Sequence, residues 1–201
     1  DDVLRAAKAS QRKEKSLTAT LSAQAKAQPG VLKLTSATAS DVDAWLSELK
    51  RRRRPDDAKK PFCNAEQLQA IEAVATRVKK ELLHEADPRQ NSFAEPSRWM
   101  VHGGPGTGKT KYVINIIKKE LFEGVLKWDM GVNFQIVASQ AVMAELLGGD
   151  TIHHACGIPV FNGRECHDED LQTHLAIAKR VLQWRWFIID EISMVSAKLL
   201  A

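Results

Sequence analysis

Apolar positions in this chain follow two regimes that meet near residue 60. Before that point they are sparse. Residues 3–21 are rich in Ala and Lys, and Asp41-Val-Asp-Ala-Trp-Leu-Ser-Glu-Leu49 is weakly amphipathic. The pattern therefore predicts an arm over residues 1–60 that is mostly disordered, or helical only in short patches. Order is expected to begin near Pro61. Leu68, Ile71, Val74, Ala75, Val78 and Leu82 recur at steps of three and four, which predicts a helix to about Leu83. Asn64-Ala-Glu-Gln67 stands at its start with the form of a capping box. Residues 87–92 read as a loop from their Asp, Pro, Asn and Ser content.

Three apolar runs follow that read as strands. They are Trp99-Met-Val101, Val132-Asn-Phe-Gln-Ile-Val-Ala138 and Trp186-Phe-Ile-Ile-Asp190. The last is continuously apolar, as a central parallel strand would be. After the first run, Tyr112, Val113, Ile116, Ile117 and Leu121 keep helical spacing to about Phe122, and Glu123-Gly124 marks a stop. A short helix is expected over 140–147, an ordered connector over 151–156, a surface loop over 157–167 and a helix over 168–183. A last helix starts near Ser193. Strands that alternate with helices predict an α/β domain over 61–201, built on a doubly wound parallel sheet.

Composition narrows the picture. With 44% hydrophobic residues the chain suits a soluble globular protein. No apolar run approaches the ~18–20 residues of a membrane span, so no membrane partner is expected. Cys63, Cys156 and Cys166 are irregularly spaced and suit a reducing, intracellular compartment better than a disulfide framework. Cys166-His167 and Cys156 lack a four-ligand zinc spacing. The chain opens on Asp1 without a secretory pattern, which suggests a fragment or a processed product. Residues 1–60 hold 14 Lys/Arg against 8 Asp/Glu, a net of +6, and the remainder 15 against 17. A basic arm of this kind is consistent with a polyanion partner. Its end, Lys50-Arg-Arg-Arg-Arg-Pro55, reads either as a nuclear-localisation or phosphate-contact patch or as a solvated linker.

The chemistry is concentrated between the first strand and the helix after it. Gly103-Gly104-Pro105-Gly106-Thr107-Gly108-Lys109-Thr110 fits the phosphate-loop pattern G-x-x-x-x-G-K-[ST]. Its glycines can take backbone angles closed to residues with a Cβ, so successive N–H groups can curl round a phosphate. The helix that begins near Lys109 points its positive dipole end at the same anion. Lys109 would reach the β/γ-phosphates of ATP, and the Thr110 hydroxyl would hold Mg²⁺. Asp190, at the end of the last apolar run, would share that metal, and Glu191 would orient or deprotonate the attacking water.

Together these residues resemble the nucleotide motifs of superfamily 1 DNA helicases. Residues 103–110 and Asp190-Glu-Ile-Ser-Met194 are similar to the first two motifs, residues 137–153 to motifs Ia and Ib, and Asn64-Ala-Glu-Gln67 to the adenine-reading Q motif. The likeness runs over residues 61–201 and is nearest to the Pif (petite integration frequency) branch. That branch includes RecD-related helicases and those carried by Helitron transposons. The resemblance implies a RecA-like P-loop ATPase domain and a motor that unwinds DNA from 5′ to 3′. Repair, recombination and telomere or genome maintenance are the implied settings, with single-stranded DNA and duplex junctions as partners. In a eukaryote it implies the nucleus or mitochondrion.

The same resemblance implies roles for single residues. Gln67 would contact the adenine edge, with a plain capping role as the other reading. Ser139, where the family usually has Thr, would touch the DNA backbone, and Thr151 and His153 would lie near the strand. The family's later motifs, its second RecA-like domain and that domain's arginine finger have no counterpart here. The chain alone is therefore expected to bind Mg·ATP weakly, hydrolyse it very slowly and unwind nothing. Two other readings stay open: a nucleotide-binding remnant of a helicase or mobile element without turnover, and a different phosphate-loop enzyme such as a small-molecule kinase.

Overall fold

A computed structural model describes residues 35–91, 96–158 and 171–197. The patch expected over 3–21, most of the loop expected over 157–167, and the chain after 197 lie outside them. The chain divides into two compact units, one of Lys33–Asp129 and the other containing Met130–Ala201. Among the described residues no helix is long and apolar enough to cross a membrane.

In the first unit order begins well before Pro61, which corrects the boundary expected from composition. Helix α1 spans Ala39–Arg51. Thr38 caps it: the Asp41 carboxylate accepts the Thr38 N–H at 2.8 Å, and the Thr38 hydroxyl oxygen accepts the Asp41 N–H at 3.4 Å. A helix of 13 residues is marginal alone, and burial of Val42 and Leu49 stabilises it as α1 packs on the helix Ala65–Ala86. The basic run at its end is not a solvated linker. Lys50 pairs with Glu72 at 2.6 Å, Arg52 pairs with Glu120 at 2.7 Å, and Arg53 bridges to Pro61 in antiparallel fashion.

Helix α2 spans Ala65–Ala86, three residues beyond the expected end, and its reciprocal capping box of Asn64 and Gln67 is formed. Ile71, Ala75, Val78 and Leu82 of the expected apolar face are buried, whereas Leu68 and Val74 are half-buried. After the phosphate loop come α3, Lys109–Ile114, and α4, Ile117–Val125, joined through Asn115 and Ile116. Their turns are of the wide π type, with backbone N–H groups reaching five residues back, as from Asn115 to Thr110 and from Leu126 to Leu121. Phe122 and Trp128 close this core with ring centroids 5.2 Å apart.

The strand expected at Trp99–Val101 does not form. These side chains are 51%, 60% and 51% exposed, and residues 96–104 have no regular structure. Three apolar residues closed by Arg98 and His102 carry too little surface and too few ladder bonds to hold a strand.

The second unit holds a parallel sheet of three strands in the order β2-β1-β3. β1 is Phe134–Ala138, β2 is Asp150–Thr151 and β3 is Trp186–Asp190. β1 is buried at all five positions and lies in the middle. β3, expected in the centre, is at an edge of the described sheet, with Phe187 partly exposed and stacked on Trp184 at 5.7 Å. Three helices follow in order: α5, Ala141–Leu146; α6, Ile152–Cys156; and α7, Leu171–Gln183. Gly149 lets the chain turn back onto β1, because a Cβ there would stand 2.4 Å from the Ile136 carbonyl oxygen. A parallel sheet with alternating helices is the expected RecA-like α/β arrangement.

Candidate functional site

The phosphate loop belongs to the first unit. Gly106 and Gly108 have φ of +75° and +81°, angles that strain any residue with a Cβ, and Gly108 leads directly into α3. The Lys109 ammonium donates to the carbonyl oxygens of Gly103 at 2.6 Å and Gly104 at 3.1 Å. The Thr107 hydroxyl donates to the Gly104 carbonyl at 2.8 Å. The lysine thus lies back along the loop, its charge satisfied by the carbonyls that frame the glycines. Thr110 is half-buried in the first turn of α3.

Gln67 reaches this loop from α2. Its Oε1 accepts the Asn64 N–H at 3.0 Å, completing the capping box, and its Nε2 donates to the Thr107 carbonyl at 2.8 Å. At 8% exposure it is held at both ends of its amide. Capping and loop contact therefore coexist in one side chain, a combination that neither sequence reading of Gln67 contained.

The acids belong to the second unit. Asp190 ends β3, is only 3% exposed, and accepts the Glu191 N–H on Oδ1 at 3.1 Å. Glu191 is exposed and left-handed, with φ 52° and ψ 51°, and opens the 3₁₀ turn Ile192–Met194. Such angles are uncommon for a residue that is not glycine. Two carboxylates in succession thus have unlike settings, one buried at a strand end and one turned out to solvent.

Register brings the other candidates to the same edge of the sheet. Ala138, the last residue of β1, lies opposite Thr151 on one side and Asp190 on the other. Ser139 follows Ala138 directly, so Ser139, Thr151, Asp190 and Glu191 share the carboxyl end of the strands. Ligands bind at that end in sheets of this kind. The Thr151 hydroxyl oxygen accepts the His154 N–H at 3.3 Å and starts α6. His153, half-buried, has its carbonyl taken by the Ile158 N–H at 2.8 Å.

Sequence did not assign these partners around the sites. His154 Nδ1 pairs with Asp150 Oδ2 one turn away, and Arg180 donates to the carbonyls of His154 at 3.3 Å and Ala155 at 2.6 Å. The four-residue step from Asp150 to His154 is a readable signal, whereas Arg180 gives none. Burial pushes the thiols of Cys63 and Cys156 above their usual value, which argues against either as a nucleophile.

A family model described as PIF1-like helicase matches residues 65–201. No curated protein and no solved structure matches the chain.

Proposed function

The chain belongs to the PIF1-like helicase family, and we propose that it is the ATP-binding half of a motor that hydrolyses Mg·ATP to move 5′ to 3′ along single-stranded DNA. Family membership makes it a helicase-type NTPase and implies DNA as its partner. The direction of travel, the turnover of ATP and the residue roles are our reading. Repair, recombination and telomere maintenance at duplex junctions, in the nucleus or mitochondrion, are the settings in which such a motor would act.

The observation that carries this reading is the row Thr151, Ala138 and Asp190 across the sheet. It joins the acids that would serve hydrolysis to the segments Ser139 and Thr151–His153 that would touch DNA. A strand of DNA on those segments then bears directly on the acids, and this is what coupling of track to fuel requires.

In this reading the N–H groups of residues 103–110 cradle the phosphates and Lys109 neutralises the γ-phosphoryl charge that grows in the transition state. For that, Lys109 exchanges the Gly103 and Gly104 carbonyls for phosphate oxygens. Gln67 contacts the adenine edge while holding the loop. Glu191, exposed at the strand end, accepts a proton from the attacking water. The Thr110 hydroxyl and the Asp190 carboxylate are each a hard oxygen donor of the kind Mg²⁺ takes, and each is proposed as a ligand for it. When bound, the ion would supply neutralisation of phosphate charge.

Linkage offers a test that does not depend on fast turnover. If DNA and nucleotide act on one sheet edge, single-stranded DNA changes the affinity for Mg·ATP, and Mg·ATP changes the affinity for DNA by the same factor. Titrations of each ligand at several fixed levels of the other measure this, with Lys109→Ala as the nucleotide-defective control. Independent binding of the two ligands would count against the coupled motor.

A further inference from the structure

The chain before the capping box wraps against the helix that follows the phosphate loop and grips it at two places. At the far place both oxygens of Glu120 are engaged. Arg52 Nη1 donates to Oε1 at 2.7 Å, and the Trp45 indole N–H donates to Oε2 at 3.2 Å. At the near place the contacts are aromatic. The Arg54 guanidinium stands 5.8 Å from the Tyr112 ring centroid, and Phe62 meets the same ring edge-on at 5.7 Å. Arg52 in turn stands over Phe62 at 5.3 Å. Arg54 is fixed by its N–H to the Lys60 carbonyl at 3.1 Å and its Nε to the Pro61 carbonyl at 3.3 Å.

Tyr112 passes this grip to the loop. Its N–H donates to the Gly108 carbonyl at 2.7 Å, and its ring lies so close that a Cβ on Gly108 would stand 2.7 Å from it. A loop with four glycines has much conformational freedom to lose, and a π-type helix start is a poor anchor by itself. Contacts from outside must set where Gly108 and the first N–H groups of α3 point.

We propose that Arg52 and Arg54 are positioning residues for the phosphate loop, holding Glu120 and Tyr112 so that the helix after Lys109 keeps one direction. The inference rests on residues 103–110 being a nucleotide cradle, and it adds that the cradle is preorganised by chain lying before the capping box. Arginine suits both contacts, since its planar group can pair with a carboxylate and stack on a ring.

The test is titration of the 201-residue chain with a fluorescent ATP analogue (mant-ATP) and Mg²⁺, well below the melting temperature of each variant. Loss of a contact that preorganises the site lowers the fraction of competent loops, and the apparent affinity falls in proportion. Arg52→Ala and Arg54→Ala are each expected to bind about tenfold more weakly while remaining folded by circular dichroism. Arg54→Lys, which keeps a cation over Tyr112, restores most of the affinity. Lys50→Ala, which cuts the pair with Glu72 and leaves α3 and α4 untouched, does not change it. Should Arg52→Ala fail to fold, Arg54→Ala leaves the Glu120 pair in place and carries the test. Binding by a folded Arg54→Ala equal to that of the parent, with Lys109→Ala defective, overturns the positioning role alone. Absence of binding by the parent, or binding unaffected by Lys109→Ala, overturns the cradle and this inference together.

Discussion

The Gln67 amide donates to the Thr107 carbonyl at 2.8 Å while its oxygen accepts the Asn64 N–H at 3.0 Å. One side chain therefore closes the cap of α2 and holds the last turn of the phosphate loop, and the two tasks separate by chemistry. Gln67→Glu keeps the acceptor for Asn64, loses the donor, and sets a carboxylate against the Thr107 carbonyl. With a carboxylate buried against a carbonyl it should melt lower than the parent, and it should bind nucleotide about tenfold more weakly. Gln67→Ala loses both hydrogen bonds, each worth about 0.5–1.5 kcal/mol, and should also melt lower. Thermal melts beside nucleotide titrations of both variants decide the matter; full affinity in Gln67→Glu would make the loop contact incidental.

Glu191 combines a left-handed backbone with the place where a general base is expected. Left-handed angles cost a residue with a Cβ roughly 1–2 kcal/mol, part of which glycine's greater entropy loss on folding offsets. Glu191→Gly should therefore leave stability unchanged or raise it by up to about 1 kcal/mol, and Glu191→Gln should leave it unchanged. Both should bind Mg·ATP and hydrolyse it ~10²–10⁴-fold more slowly than the parent. Urea midpoints and single-turnover hydrolysis measure the two effects separately. Parental turnover in Glu191→Gln would assign the base elsewhere.

What was legible in the sequence was what local pattern can carry. β1 is apolar at four of five positions and buried at all of them, and the cap of α2 is written in Asn64 and Gln67. The glycines of the loop announce angles that only Gly106 and Gly108 could take without strain. α1 was legible only as a weakly amphipathic patch, because just Val42 and Leu49 are buried on it and its ion pairs reach residues distant in sequence. Lys50 to Glu72, Asp43 to Lys79 and Arg52 to Glu120 leave no periodic trace. The wide turns of α3 and α4 were hidden because apolar steps of four suit either helix. Trp99–Val101 misled in the other direction, since a short apolar run does not say whether anything covers it. At the candidate site each side chain was readable by type, but the row Thr151, Ala138, Asp190 depends on the register of strands far apart in sequence. The left-handed turn at Glu191 had no signal at all.

Acid should weaken the cap of α1. The N–H and hydroxyl of Thr38 hold the Asp41 carboxyl below its usual range near 4. A folded value lower than the unfolded one means that folding favours the ionised form. The stabilisation is thus complete above the unfolded value and is lost as pH falls through the lower folded value. Melting temperature followed downward from pH 6 should show this loss in the parent and a weaker one in Asp41→Asn. Identical curves would mean that the cap contributes nothing through ionisation.

Arg180 should matter to the segment proposed to meet DNA although it stands on another helix. Its Nη2 spans the carbonyls of His154 and Ala155 at the end of α6, where Gly157 turns left-handed at φ +65°, and its guanidinium stands 6.0 Å from the Trp184 ring centroid. A helix as short as Ile152–Cys156 has little stability of its own, so these contacts at its end fix how Thr151 and His153 are presented. Hydrogen bonds from a charged donor are worth about 1.5–3 kcal/mol, and Arg180→Ala forfeits two of them. Hydrogen exchange in residues 151–157 should accelerate in this variant while β1 keeps its protection. Affinity for single-stranded DNA should fall several-fold, with nucleotide affinity in the absence of DNA unchanged. Lysine has no planar group to stand against the Trp184 ring, so Arg180→Lys should recover only part of the protection. Faster exchange with parental DNA affinity would show that α6 is ordered by Arg180 but does not meet the strand.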